Sequence, residues 1–83
     1  MPPRGQKRGK PASDVDFLKA LGARIRAARE RAGLSQMDLV RHHGWSVGHV
    51  GKIERGEVDV RASTLKRLAA DLGVQIETVF KGL

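Results

Sequence analysis

Three histidines lie close together in the chain, at positions 42, 43 and 49. Because imidazole is the commonest protein ligand of transition metals, their proximity raises the question of a metal site. Adjacent side chains on a helix diverge, however, so His42 and His43 would point in different directions. The chain has no cysteine, and no carboxylate stands at a ligand spacing from these histidines. We therefore expect the histidines to face solvent or a partner, and we predict no bound metal and no other cofactor.

Nucleophilic catalysis is the second chemistry to consider, because the chain contains both serines and histidines. No motif pairs a nucleophile with a base and an orienting acid, and the phosphate-cradling GxxxxGK[ST] loop does not occur. Residues 48–51 (GHVG) have the GXXG pattern of the RNA-binding KH loop, but that fold needs a sheet. We predict that the protein is not an enzyme.

The helical spacing of apolar residues predicts the elements that position these side chains. We expect Ser13 to cap the first helix and Gly33 to end it. One face of this helix carries apolar residues three or four positions apart, namely Leu18, Leu21, Ile25, Ala28 and Ala32. We expect Ser35 to cap a second helix, with Asp38 completing a capping box, and Gly44 to end it.

The third helix is predicted within the segment GWSVGHVGKIERG, with Ser46 as its cap. Trp45 and Val50 stand where the two partners of a hydrophobic staple are found. Gly48 and Gly51 would then lie inside the helix, one turn apart, where each glycine costs about 1 kcal/mol relative to alanine. The two glycines therefore indicate that this face of the helix has a use other than packing.

Two further helices complete the predicted fold. We prefer Asp59 as the cap of the fourth helix, with Ser63 as the alternative. Its buried face is expected to hold Leu65, Leu68, Ala69 and Leu72. A short fifth helix is expected to run roughly from Ile76 to Phe80. Since no segment shows sustained strand alternation, the predicted fold class is all-α, with five short helices that pack at steep angles.

The positive charge is concentrated at one end of the chain. The formal net charge is +7, and residues 1–13 contain four basic residues, no acidic residue and almost nothing to bury. We therefore predict a disordered basic tail over residues 1–13 and one folded domain over residues 14–83. An excess of positive charge favours binding to polyanions, of which nucleic acid is the commonest.

The sequence carries no sign of a membrane-bound or secreted protein. No apolar run approaches the ~20 residues of a membrane span, and the N-terminal stretch lacks the apolar segment of a secretory signal. The lack of cysteine excludes a disulfide scaffold and fits a reducing interior. We expect a cytoplasmic protein that makes no membrane contact.

Two stretches of the chain resemble the Cro/C1-type (XRE family) helix-turn-helix repressors: LGARIRAARERAGLSQMDLVRHHGWSVGHVGKIERG and LKRLAADLGVQIETVF. The matching motifs are LGxRIRxxRxxxGLSQ, the turn entry L-V-x-x-x-G, the helix ending IERG and LAxxLGV. The resemblance covers about residues 21–82 and implies a lambda-repressor-like domain with its helix-turn-helix at about residues 35–55. It implies a bacterial or phage transcriptional regulator that binds a two-fold operator in double-stranded DNA as a homodimer.

The resemblance also assigns roles to individual positions. The residues at base-reading positions are Val47, Gly48, His49 and Lys52. Gln36 and Ser46 stand at positions that contact DNA phosphates, and Arg29 and Glu54 match the two partners of a largely buried structural ion pair. Chemistry limits what the base-reading residues recognise: Val47 suits only a thymine methyl group, and Lys52 suits guanine or a phosphate.

Departures from the family pattern are found in the loop after the third helix. Glu57 and Asp59 would repel DNA phosphates there, which leaves Arg55 and Arg61 as the expected phosphate contacts of this region. The family usually has proline before the fourth helix, where this chain has Val60.

The last residues suggest how two chains would associate. Phe17 and the apolar residues near the C-terminus exceed what five short helices comfortably hide. We expect a dimer contact that is made by Val79, Phe80 and Leu83. The alternative to DNA reading is a protein-interaction module or antitoxin of the same fold, because Gly48 and Gly51 flatten the surface for a protein partner such as a toxin.

Overall fold

The computed structural model describes residues 12–83. Within that range the chain forms five helices and no strand, which confirms the predicted all-α fold class. The helices are α1 (Ala12–Arg31), α2 (Gln36–His43), α3 (His49–Glu54), α4 (Ala62–Asp71) and α5 (Ile76–Phe80). The predicted disordered tail lies outside the described residues, except for its last two residues, which begin α1. None of the described helices is long and apolar enough to cross a membrane.

The beginnings of two helices differ from the prediction. Ser13 lies inside α1 rather than at its cap, because the helix already begins at Ala12. The residue that caps α4 is Arg61, whose backbone is extended, so the predicted caps Asp59 and Ser63 are both wrong. Valines 58 and 60, on either side of Asp59, pack against the hydrophobic core, and the helix begins only after them.

Helix α2 begins and ends as predicted. The backbone amide of Asp38 donates to Ser35 Oγ at 2.9 Å, and the amide of Ser35 donates to Asp38 Oδ2 at 2.7 Å, so both halves of the capping box are present. The hydrogen bond that the Asp38 carboxylate accepts from the Ser35 amide is the main cause that holds the pKa of this carboxyl below its ordinary value. Gly44 ends the helix in the left-handed conformation.

One hydrophobic core joins all five helices, and α1 packs directly on α3 and α5. The buried members of this cluster are Leu21, Ile25, Ala28, Leu39, Trp45, Val50, Ile53, Leu65, Leu68, Leu72 and Val79.

Two expectations about which residues are buried were wrong. Ala32 is exposed, because α1 ends at Arg31 and Ala32 lies in the turn that follows. Val79, expected in a dimer contact, is only 1% exposed and belongs to the core of its own chain.

The end of α3 approaches α1 closely at two glycines. A Cβ atom placed on Gly22 would lie 2.4 Å from the carbonyl oxygen of Glu54 and 2.5 Å from that of Ile53. A Cβ atom on Gly56 would lie 2.7 Å from the backbone nitrogen of Lys19. Both distances are shorter than any normal contact, so the absence of side chains at these two positions determines how closely α3 packs on α1.

Candidate nucleic-acid interface

The turn between α2 and α3 contains the first of the predicted base-reading residues. We predicted that Ser46 caps the third helix, but the helix begins at His49 and its capping residue is Gly48. The physical reason is the backbone of Gly48, which has a φ of 84° and therefore cannot be part of a right-handed helix. Ser46 lies before a tight turn instead, with its carbonyl oxygen accepting a hydrogen bond from the His49 amide at 3.1 Å.

Trp45 anchors this turn to α4. Its ring is buried, and its only polar atom, Nε1, donates a hydrogen bond of 2.7 Å to Asp71 Oδ2. The guanidinium carbon of Arg67 lies 4.2 Å from the centre of the indole ring, while Nη2 of the same side chain donates to the carbonyl oxygen of His43 at 3.3 Å. Trp45 and Val50 both belong to the core cluster, but the predicted hydrophobic staple is wrong, because with Gly48 as the cap these two residues do not stand at the staple positions.

The structure brings the predicted base-reading residues together at the beginning of α3. Val47 and Gly48 lie in the turn, and His49 and Lys52 lie in the first turn of the helix. The side chain of Val47 is 76% exposed, Lys52 is exposed, and His49 is half-buried beside Trp45, with ring centres 5.9 Å apart. Since residues three apart share a helix face, His49 and Lys52 point to the same side. We call these four residues, Val47, Gly48, His49 and Lys52, the α3 surface.

A buried ion pair holds α3 to α1. Arg29 donates to Glu54 through Nε at 2.6 Å and through Nη2 at 3.0 Å, and both residues are at least nine-tenths buried. The hydrogen bond to Glu54 raises the pKa of the Arg29 guanidinium, so Arg29 stays positively charged. Arg29 Nη1 also donates to the carbonyl oxygen of Leu34 at 2.8 Å. The two side chains therefore form the buried pair that the motifs suggested.

Gln36, expected at a phosphate, is also part of this network. Its Nε2 donates a hydrogen bond of 3.1 Å to Glu54 Oε1, which links the beginning of α2 to the end of α3. Gly51 leaves room for this contact, because a Cβ atom there would lie 3.1 Å from Gln36 Oε1 and 3.0 Å from Arg55 Nη1. Gly51 therefore faces the side chains of Gln36 and Arg55 rather than open solvent.

Two of the remaining expected phosphate contacts, Arg55 and Arg61, lie on either side of the loop that follows α3, and the third, Ser46, lies before α3. Arg55 is exposed and donates through Nε to Glu57 Oε2 at 2.7 Å, with a longer bond of 3.3 Å from Nη2 to Oε1. The hydrogen bond to Arg55 lowers the pKa of Glu57, and the same bond raises the pKa of Arg55. Arg61 is exposed at the beginning of α4, and Ser46 is exposed in the turn before α3.

The histidines do not converge. His43, the last residue of α2, has its Nδ1 atom 3.3 Å from Asp71 Oδ1, at the end of α4. His49 packs beside Trp45 instead. Among the described residues, no three side chains of histidine, cysteine, aspartate or glutamate are arranged to hold a metal ion.

A small aromatic patch is exposed on the α1 and α5 side of the molecule. The rings of Phe17 and Phe80 stack with their centres 6.5 Å apart and an angle of 17° between their planes. Phe17, Phe80 and Leu83 are each more than two-fifths exposed. Of the three residues expected to form a dimer contact, Phe80 and Leu83 are therefore accessible and Val79 is not.

Replacing Gly48 by alanine is expected to lower the free energy of unfolding by about 1–2 kcal/mol, because an L-residue is strained in the left-handed conformation. An added Cβ atom would have no neighbour within 4 Å, so backbone strain and not collision is the cause. Gly48→Asn should cost less, since asparagine adopts this conformation more readily. Thermal unfolding of the three proteins gives the order, and an alanine variant as stable as the wild type would contradict the prediction.

Comparison with known families agrees with this geometry. A family model described as a helix-turn-helix domain matches residues 20–79, which include α2, α3, α4 and most of α1 and α5. A search of curated proteins found no match to the chain.

Proposed function

The chain belongs to the helix-turn-helix domain family, and from this premise we propose that it is a sequence-specific regulator of transcription that reads duplex DNA with the α3 surface. The family is one of DNA-binding domains, and the XRE-like kind is the one that the sequence motifs resemble. We propose repression in the cytoplasm as its role, through occupancy of an operator.

The observation that carries this proposal is the exposed beginning of α3. A helix that enters the major groove reads base edges with its first residues, and here Val47 and Lys52 are exposed to solvent. Lys52 offers a donor to guanine O6 or N7, and the 76% exposed Val47 offers a methyl contact to thymine. Gly48 contributes no side chain but allows the backbone to approach the DNA closely.

Phosphate contacts would surround this reading surface. Ser46 lies just before it, and Gln36 and Arg55 lie together beside Gly51, on the neighbouring face of α3. Arg61 is exposed at the beginning of α4. The formal charge of +7 supplies long-range attraction to the DNA backbone.

A homodimer is the proposed binding unit, because helix-turn-helix proteins that recognise two-fold operators place one reading helix on each half-site. The accessible apolar residues Phe17, Phe80 and Leu83 are our candidates for the contact between the two copies. Burial of Val79 in its own core excludes it from this role.

Selection of duplexes from a random library tests the proposal. We expect the wild-type chain to enrich a two-fold sequence, and we expect Lys52→Ala to change the preferred base pair at one position of each half-site with a loss of about 1–3 kcal/mol in discrimination. An unchanged preference would remove Lys52 from the base-reading residues. Failure to enrich any duplex would reject DNA reading.

The second candidate function is a protein-interaction module or antitoxin of the same fold. It is favoured by the highly exposed apolar side chain of Val47 beside a position without a side chain, Gly48. Stable binding of a protein partner to the α3 surface, with no duplex enriched from the library, would distinguish this function from DNA reading.

A further inference from the structure

The guanidinium group of Arg55 forms an ion pair with Glu57, an acidic residue of the same chain. Arg55 follows the last residue of α3, and Glu57 lies two residues later in the loop. Two nitrogen atoms of the guanidinium group face the two carboxylate oxygens, at 2.7 Å and 3.3 Å. This is the bidentate geometry in which arginine also binds a phosphate group. The carboxylate therefore occupies the position on Arg55 that a DNA phosphate would take.

The location of Arg55 places this contact next to the α3 surface. Arg55 Nη1 and the Gln36 side-chain oxygen lie 3.0 Å and 3.1 Å from the point where a Cβ atom of Gly51 would stand. Gln36 is itself fixed by its hydrogen bond to the buried carboxylate of Glu54. The guanidinium group of Arg55 therefore lies beside the Gln36 side chain, about one helical turn from Lys52.

The ion pair is of a strength that DNA can overcome. Both side chains are at least half exposed, at 58% for Arg55 and 50% for Glu57, and exposed pairs of this kind contribute little to stability. Arg55 also holds the pKa of Glu57 below its ordinary value, so the carboxylate stays charged at any pH at which the protein would meet DNA. Neutralisation of Glu57 by pH therefore does not release Arg55, and a competing anion must displace the carboxylate.

We propose that Glu57 competes with a DNA phosphate for the guanidinium group of Arg55 and thereby weakens the binding of this domain to DNA. The inference rests on the proposed function, because it concerns the same DNA-binding surface. Glu57 then lowers affinity for every duplex alike, since a phosphate contact carries no sequence information. The ratio of affinities between two duplexes is then left unchanged by Glu57.

Glu57→Gln is the variant that tests the proposal, because it keeps the shape of the side chain and removes its charge. We expect duplex affinity to rise by up to about fivefold per protomer, which is the strength of an exposed ion pair expressed as an equilibrium ratio. We also expect the slope of log affinity against log salt to steepen by about 0.9 for the one phosphate gained by each protomer. Fluorescence anisotropy with a selected and a random duplex, at several salt concentrations, measures both quantities.

Two control variants separate competition from a simple change in net charge. Glu30→Gln removes the partner of Arg26 from an equally exposed pair on α1, outside the α2–α3 unit, and alters the net charge by the same amount. Asp59→Asn removes a charge from the same loop, where no salt bridge among the described residues involves Asp59. We expect both to raise affinity less than Glu57→Gln does, and equal gains would overturn the proposal.

The decisive measurement repeats Glu57→Gln in a chain that also carries Arg55→Gln. If Glu57 acts through Arg55, the gain in affinity disappears in this background. A gain of the same size would show that Glu57 only repels the DNA, and would overturn the proposal. If the wild-type chain binds no duplex, the proposed function fails and the inference fails with it. If it binds and Glu57→Gln changes nothing, only the inference fails.

Discussion

Replacing Gly22 by alanine is expected to lower the free energy of unfolding by about 3 kcal/mol or more, at the upper end of overpacking effects. The added methyl group would lie within 2.4 Å of the Glu54 carbonyl oxygen and 2.5 Å of the Ile53 carbonyl oxygen. Both neighbours are backbone atoms, so they move aside only if α3 separates from α1. Urea denaturation followed by circular dichroism measures the loss. A domain of this size has a small stability reserve, so the variant should unfold at a clearly lower urea concentration than the wild type.

The predicted loss of stability in Gly22→Ala is opposite in direction to the usual effect of this substitution in a helix. In an α-helix without such a neighbour, glycine to alanine stabilises by about 1 kcal/mol, because alanine has the higher helix propensity. Gly33→Ala is the matched control, since Gly33 has a φ of 75° but nothing within 4 Å of an added Cβ atom. Gly33→Ala should lower the free energy of unfolding by only about 1–2 kcal/mol, which is the strain of an alanine in the left-handed conformation. A Gly22→Ala variant as stable as the wild type would contradict the close approach of α1 and α3.

The second large effect concerns the buried pair of Arg29 and Glu54. Arg29→Met and Glu54→Leu are each expected to cost about 3–5 kcal/mol, because each leaves one buried charge without its partner. The double variant should be much less destabilised than the sum of the two, and close to neutral if the apolar side chains fill the space. A double-mutant cycle by urea denaturation gives the coupling energy directly.

The exposed pair of Arg26 and Glu30 on α1 is the control for this cycle. Their side chains are 64% and 55% exposed, so removing either partner should change the free energy of unfolding by less than about 1 kcal/mol. If Glu54→Leu proved no more costly than Glu30→Leu, the buried pair would not stabilise the packing of α3 on α1. The Gln36 hydrogen bond to Glu54 would also be lost in Glu54→Leu, which adds to the expected cost.

The sequence predicted correctly those features of the helices that depend only on residues a few positions apart. The capping box of Ser35 and Asp38 is an exchange of hydrogen bonds between residues three apart, so it forms wherever α2 forms. The fifth helix was predicted with its observed bounds, and the apolar spacing identified the buried face of α4 correctly. The Arg29–Glu54 pair came from motif resemblance, since no local rule relates residues 25 positions apart.

The error at Ser46 shows where local rules failed. Serine at that position looks like a cap, and Gly48 looks like a defect in a helix interior. In the structure Gly48 has a φ of 84°, and its left-handed backbone makes it the cap itself. The glycines also divide into two roles, because Gly48 shapes the turn before α3 and Gly51 makes room for Gln36 and Arg55. In the sequence, Gly48 and Gly51 stand three residues apart, and this spacing alone does not show that the two glycines have different roles.

The sequence by itself determined the helical class, the buried faces of the longer helices and the identity of the residues on the α3 surface. These properties follow from periodicity and from family motifs, which are carried by short stretches of chain. Only the tertiary structure decided that Gly22 must lack a side chain, that Val79 is buried and that Glu57 occupies Arg55. Each of these findings depends on contacts between atoms that come together only after folding, either across two helices or across a turn. A pattern of residue types does not specify the distances between those atoms.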